Sequence, residues 1–212
     1  MKILILTDSL GLPRSKPELC SFEDTWPTLL RDRYPNIHQV SIGAATSQVL
    51  LKQINYQKAF KPDIVILQVG IVDCAPRFMS RKELDFTYAL GNLGRGFRFM
   101  LNRNWIKRKR KISYINEVEF KQNLTKIQDA FDCPAISIGI LPSNKQYEKL
   151  LPGVTAKIVS YNTILEQNFI NFLNTDDIIN VNGIMSDHHH LNKKGYNYLF
   201  HMLEKTLKEL LK

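Results

Sequence analysis

Cysteine is scarce in this sequence: Cys20, Cys74 and Cys133 are an odd set of three with no paired, metal-type spacing. That argues against a disulfide framework and a cysteine-built metal site, and leaves reduced, buried thiols as the expectation. No apolar run approaches the roughly 18–20 residues that a membrane span needs. The opening Met1-Lys2-Ile3-Leu4-Ile5-Leu6 is too short for the apolar region of a secretory signal, so a cytoplasmic location is expected. Repeats and low-complexity tails are missing, which leaves no basis for a solenoid or a fibrous chain. Acidic residues are missing from one stretch, 95–111, which holds eight basic ones: Arg95, Arg98, Arg103, Lys107, Arg108, Lys109, Arg110 and Lys111. The net charge of +9 therefore belongs almost wholly to that segment, and the rest of the chain is near neutral.

What is present is the material of an ordinary globular protein. The 212 residues are 44% hydrophobic and 23% charged, enough for a sizeable core and suited to one domain spanning 1–212. Four apolar, β-rich runs read as buried parallel strands, at 2–7, 63–69, 135–140 and 177–181, with a weaker fifth at 39–42. Helical stretches fall between and after them, at 25–33, 46–54, 117–131, 155–173 and 194–211. Alternating strands and helices predict a three-layer α/β/α sandwich with about five parallel strands, flavodoxin-like in character. The interval from Val69 to Ala135 is too long for one crossover helix. Residues 80–113, basic and helical, read as an insertion or lid too short to hold a core of their own.

Two motifs at opposite ends carry the chemistry. Thr7-Asp8-Ser9-Leu10-Gly11 follows the first strand directly, and Asp187-His188-His189-His190-Leu191 precedes the last helix. A serine where a strand turns into a helix is exposed at the end of the sheet, where ligands of open α/β folds bind. Serine, aspartate and histidine are the members of a hydrolytic triad, which is defined by roles and geometry rather than by chain order. The plain alternatives are that Asp8-Ser9 merely caps a helix, and that the three histidines hold a metal. Adjacent histidines point in different directions and no Cys or Glu lies at a ligand spacing nearby, so no metal or other cofactor is expected.

These residues resemble the SGNH (GDSL) hydrolase superfamily in four short blocks spread from residue 2 to about 196, in the family's order. Thr7-Asp8-Ser9-Leu10 is similar to Gly-Asp-Ser-Leu with threonine for glycine, which makes Ser9 the nucleophile and its backbone N–H an oxyanion donor; Asp8 is structural. Ser41-Ile42-Gly43-Ala44-Ala45-Thr46-Ser47 matches the block that supplies a second backbone donor, from Gly43 or Ala44 depending on the anchor. Gly70-Ile71-Val72-Asp73 matches Gly-x-Asn-Asp, with Val72 in place of the asparagine whose amide donates to the oxyanion. A valine cannot donate, and Arg77 is the candidate to contact the oxyanion or an acidic substrate, against a reading as a surface or Asp73-paired residue. Cys74 reads as a small buried residue rather than a nucleophile. Asp187-His188-His189-His190-Leu191-Asn192-Lys193-Lys194-Gly195-Tyr196 matches Asp-x-x-His-Leu-x-x-x-Gly-Tyr, with His190 as base and Asp187 as its orienting acid.

The resemblance implies an SGNH hydrolase fold and a serine esterase working through an acyl-enzyme. Among the substrates it allows, an acetyl or other short acyl ester on a carbohydrate of the surface-polysaccharide type is preferred here. No long apolar stripe surrounds the motifs to hold a fatty chain. An O-acyltransferase on the same triad, a lipase or a thioesterase remain open, as does a catalytically silent binding protein motivated by Val72. Phe97, Phe99, Met100, Leu101, Trp105 and Ile106 interleave the basic residues of 95–111. Aromatic and cationic side chains together suit an anionic membrane surface, an acidic glycan or a nucleotide-sugar phosphate. No recognisable nucleic-acid-binding motif accompanies them.

Overall fold

A computed structural model describes residues 1–110 and 112–211. Five strands, β1 (Ile3–Thr7), β2 (Ile37–Ser41), β3 (Ile64–Gln68), β4 (Ala135–Ile138) and β5 (Asn171–Leu173), form one parallel sheet in the order β2-β1-β3-β4-β5. β1 sits between β2 and β3 with Ile3 opposite both Ile37 and Ile64. The helices are α1 (Trp26–Arg31), α2 (Ser47–Gln57), α3 (Ile71–Cys74), α4 (Arg81–Ala89), α5 (Gly91–Leu101) and α6 (Asn104–Arg110), then α7 (Glu117–Gln128), α8 (Lys145–Leu150), α9 (Val154–Asn168) and α10 (Lys193–Leu210).

Strand alternation builds two cores from one apolar run. Leu4, Leu6, Val65 and Leu67 face α2, α7 and α9, where they meet Leu50, Phe120, Leu124, Tyr161 and Leu165. Ile3, Ile5, Ile64 and Ile66 face the other way, onto Trp26 and Leu30 of α1 and Tyr196, Leu199 and Leu203 of α10. Every residue of β1 and β3 is buried, as strands covered on both faces require. The three-layer α/β/α sandwich with five parallel strands read from the sequence is therefore what the chain forms.

The strand expected at 177–181 is not formed there. Residues 177–181 do not enter the sheet; Asp176–Val181 is a 3₁₀ helix, closed by Asn182 in the left-handed region at φ 50°. Ile178 alone of its apolar residues is fully buried, while Ile179 stays exposed. The strand is Asn171–Leu173, inside the stretch read as the end of a helix; α9 stops at Asn168. It is an edge strand of three residues, half-buried throughout, so it needs no continuous apolar run and left no such signal.

The connection from β3 to β4 leaves the sheet through α3 and returns by α7. Between them α4, α5 and α6 form an excursion whose ends are pinned together. Arg77 and Ile112 make an antiparallel bridge at its base, and Arg110 donates two hydrogen bonds to the Glu83 carboxylate, at 2.7 and 3.0 Å. α4 opens on a capping box between Ser80 and Glu83. It packs against α5 at Thr87 and Gly94, where any Cβ on Gly94 would run into the Thr87 carbonyl.

Candidate active site

The strand order reverses between β1 and β3, and parallel sheets open a crevice at such a point, beyond the strand C-termini. Ser9 stands there, at the start of a 3₁₀ turn, Ser9–Gly11, that follows β1. Asp8 fixes that turn by accepting the Leu10 N–H at 2.9 Å. The turn is tied to α10 as well: the Tyr196 hydroxyl donates to the Leu12 carbonyl at 2.9 Å.

His190 and Asp187 reach the same crevice from a loop locked by its own backbone. Met185 N–H donates to the His190 carbonyl at 2.8 Å, and His188 takes the left-handed conformation at φ 69°. Asn192 caps α10, accepting the N–H groups of Lys194 and Gly195. Gly195 has to be glycine, because a Cβ there would overlap the Gly183 carbonyl oxygen. Thus Asn192, Gly195 and Tyr196 hold the position of the loop that carries Asp187 and His190.

The side chains meet at hydrogen-bond distance. Ser9 Oγ lies 3.0 Å from His190 Nε2, and His190 Nδ1 lies 2.7 Å from Asp187 Oδ2. Asp187 Oδ1 accepts the backbone N–H groups of His189 and His190, at 3.2 and 3.1 Å. Burial alone would push the Asp187 carboxyl up, but the His190 hydrogen bond, the His189 and His190 charges and the His189 N–H outweigh it. The carboxyl is held well below the usual carboxylate range. Burial, and then the His190 charge, push the neighbouring His189 imidazole down.

One contact had no signal in the sequence. Arg14 Nη1 lies 2.8 Å from the same Nε2 of His190. A guanidinium nitrogen can only donate, so Nε2 must be the acceptor and the imidazole proton sits on Nδ1, facing Asp187. That is the tautomer a general base needs. The single lone pair on Nε2 is at the same time shared between Arg14 and the Ser9 hydroxyl. Arg14 is held in the 12–20 loop by an antiparallel bridge to Cys20.

The two candidate oxyanion positions both line the site. Ala44 takes the left-handed conformation, φ 58°, that favours glycine, whereas Gly43 does not. Among the described residues, neither the Gly43 nor the Ala44 N–H is used in a backbone hydrogen bond. Val72 lines the cavity and offers no donor. Asp73 is buried beneath it and accepts the Ser47 backbone N–H at 2.9 Å and the Ser47 hydroxyl at 2.6 Å. Asp73 therefore braces α2 and is not the partner of Arg77, the pairing that the sequence left open. Cys74 is wholly buried, and its thiol is pushed up by that burial, away from a nucleophile's range.

Ser9, Arg14, Gly43, Ala44, Val72, Asp187, His189 and His190 line a cavity of about 800 Å³ together with Arg77, Arg81, Tyr114, Tyr147, Leu150 and Leu151. Asp187, His189 and His190 bring potential metal-ligand atoms within 4.8 Å of one another. Those atoms already serve one another, however: His189 Nδ1 lies 2.8 Å from the Asp187 carbonyl, and both His190 nitrogens are engaged. The Arg14 cation beside Nε2 opposes a metal ion there. The set fits a hydrogen-bonded relay better than a metal site.

No protein-family model matches the chain, and no curated protein sequence does. Solved structures do match along its full length. A psychrotrophic esterase from Pseudoalteromonas sp., inhibited by monoethylphosphonate, is 18% identical, with 99% of this chain and 98% of that one covered at a TM-score of 0.60. A lipase/acylhydrolase from Enterococcus faecalis is 16% identical over 98% of this chain and 95% of that one, at 0.66. A phospholipase A1 from Streptomyces albidoflavus NA297 is 11% identical over 92% and 94%, at 0.55. The chain has the fold of the GDSL-type, or SGNH, lipases and acylhydrolases.

Proposed function

We propose that the protein is a serine ester hydrolase with Ser9 as nucleophile, His190 as general base and acid, and Asp187 as the group that orients and stabilises the imidazole. The observation that carries this is the unbroken run of contacts from Ser9 Oγ through His190 to Asp187, at 3.0 and 2.7 Å. In the first step Ser9 Oγ bonds to the ester carbonyl carbon while its proton passes to His190 Nε2. The carbonyl oxygen becomes an oxyanion facing the N–H groups of Ser9 and of Gly43 or Ala44. The intermediate collapses by breaking the bond to the alcohol, which takes the proton from Nε2. Water then repeats the sequence on the acyl-enzyme, with His190 again as base, and releases the acid and Ser9.

Within that class the preferred reading is a short acyl ester on a carbohydrate. Arg14, Arg77 and Arg81 on the wall suit the polar groups of such a substrate, and Ile71, Val72, Ala75, Leu150 and Leu151 leave an apolar surface for its acyl group. Residues 80–113 are read as a lid on a single hydrolase domain. Hydrolysis of para-nitrophenyl esters of increasing acyl length, with wild type beside Ser9→Ala, tests the proposal. Turnover that peaks at acetate and is lost by about 10⁴-fold or more in Ser9→Ala supports it. Equal turnover in Ser9→Ala rejects it, a peak at long chains moves the substrate to lipids, and faster acyl transfer to an added sugar than to water makes the protein an acyltransferase.

A second feature concerns location. Phe86, Tyr88, Leu93, Phe99, Met100 and Trp105 are exposed on α4 to α6, among Arg95, Arg98, Arg103 and Lys107 to Arg110. Lys111, the last of the eight basic residues, lies outside the described residues. We read this excursion as a peripheral contact with an anionic membrane surface or acidic glycan. No helix among the described residues is long and apolar enough to cross a membrane.

A further inference from the structure

The cavity carries more positive charge than a neutral ester calls for. Arg14, Arg77 and Arg81 line it, and the one carboxylate on its wall among the described residues, Asp187, is already occupied by His190 and two backbone N–H groups. Arg77 is the most firmly placed. Its backbone N–H donates to the Ile112 carbonyl at 2.8 Å, at the base of the excursion. Its guanidinium lies 4.7 Å from the centre of the Tyr114 ring, and its Nε is buried with no hydrogen-bond partner among the described residues.

The carboxylate nearest in sequence, Asp73, is committed to Ser47, and the ion pairs among the described residues do not include Arg77. Arg81 rests against the same ring, 5.9 Å from its centre, and among the described residues shares its charge only with exposed Asp85 at 3.5 Å. Lys107 adds to the field from α6: burial, and then the Arg77 charge, push its ammonium down. A guanidinium stacked on an aromatic face keeps its edge donors free, and a planar fork of donors matches a carboxylate or phosphate.

We propose that Arg77 and Arg81, both held against Tyr114, form an anion-binding subsite of the cavity, so that the preferred substrate is an ester bearing a carboxylate or phosphate beyond its scissile bond. This rests on the ester-hydrolase reading and narrows it. The apolar part of the wall, Ile71, Val72, Ala75, Leu150 and Leu151, is left for the rest of the molecule.

The test compares charged and neutral esters of matched shape. Para-acetoxybenzoate against para-acetoxybenzamide places the charge on the alcohol side. Mono-para-nitrophenyl adipate against para-nitrophenyl hexanoate places it on the acyl side. In at least one pair the wild type should favour the anion by about tenfold or more in kcat/KM, mainly through KM, and the preference should shrink with added salt. In Arg77→Gln the ratio should fall toward one, and in Arg81→Gln it should fall part of the way. Because the ratio is taken within one preparation, a poorly folded fraction cancels.

Ratios near one for both pairs in the wild type, or ratios unmoved by both substitutions, overturn the subsite. Absence of Ser9-dependent turnover of all four esters would instead refute the hydrolase reading. The subsite is then read by calorimetry on Ser9→Ala with uncleaved amides. Para-acetamidobenzoate should bind about tenfold or more tightly than para-acetamidobenzamide, and Arg77→Gln on that background should abolish the difference. Equal binding of the two amides overturns it.

Discussion

The His190 imidazole has two suitors for one lone pair. Ser9 Oγ at 3.0 Å and Arg14 Nη1 at 2.8 Å both address Nε2. Arg14 cannot give way by losing a proton, and its charge opposes the imidazolium that forms as Ser9 attacks. Replacing it should therefore speed the chemical step on small neutral esters. Arg14→Ala is expected to raise kcat for para-nitrophenyl acetate by about three- to tenfold; a fall in kcat would make Arg14 a donor to the reacting ester instead. Val72 raises the complementary question of a missing donor. It lines the cavity in the place where the resembled family carries an asparagine amide. Loss of one such donor can remove about 10²–10³ in rate, so Val72→Asn should recover roughly 10-fold or more in kcat. An unchanged kcat would show that another group already supplies that bond. Ser9, Asp187 and His190 could be singled out because their short motifs resemble those of a known family, and the fold brings their side chains to hydrogen-bond distance. Arg14 could not: it sits in an irregular loop, and only the fold brings that loop to His190.

The strands that bury both faces announce themselves, and those that do not stay hidden. β1 and β3 read directly from Ile3–Thr7 and Ile64–Gln68 because each is apolar throughout. β5, half-buried and three residues long, was masked by the helix before it, while the richer run at 177–181 spends only Ile178 in the core. The α4–α5 hairpin shows the opposite imbalance. Its Phe99 is 78% exposed and Trp105 of the following α6 is 65% exposed, within a stretch, 95–111, that holds no acidic residue of its own. Basic residues near an anionic lipid surface contribute about 1 kcal/mol each. The protein should therefore sediment with vesicles containing phosphatidylserine and not with pure phosphatidylcholine vesicles. Phe97→Ser with Phe99→Ser and Trp105→Ser should reduce that binding about tenfold or more. Equal sedimentation with both lipids would contradict a charge-led contact.

Two carboxyls make the folded protein sensitive to pH from within. Asp8, wholly buried and with Oδ2 unpartnered, is pushed up to about 7 by burial. Burial also pushes Asp73 up to about 7, against the hydrogen bonds from Ser47. In the unfolded chain both would titrate near 4. Between roughly pH 4 and 7 the native state therefore holds protons that the unfolded state has released, and stability falls as pH rises through that window. Asp187, held below its ordinary value, works the other way, adding stability that is lost only in more acid solution. Urea unfolding of the wild type should show lower stability at pH 8 than at pH 5, and Asp8→Asn should reduce the difference by about 1–2 kcal/mol. No change in slope with Asp8→Asn would mean that Asp8 is not the group responsible. Buried acids of this kind are invisible in sequence. Asp8 directly follows β1 and Asp73 lies in α3, and only the packing of the folded chain takes them out of water.

Whether Ser9 is the nucleophile is read by covalent trapping. The protein would be treated with a fluorophosphonate, its mass measured intact, and the modified residue located by peptide mapping, with Ser9→Ala in parallel. One adduct per chain is expected on Ser9, lost in Ser9→Ala and strongly slowed in His190→Ala, with ester turnover falling in step with labelling. An unlabelled Ser9 in a preparation that hydrolyses esters, or the same labelling in Ser9→Ala, would contradict it.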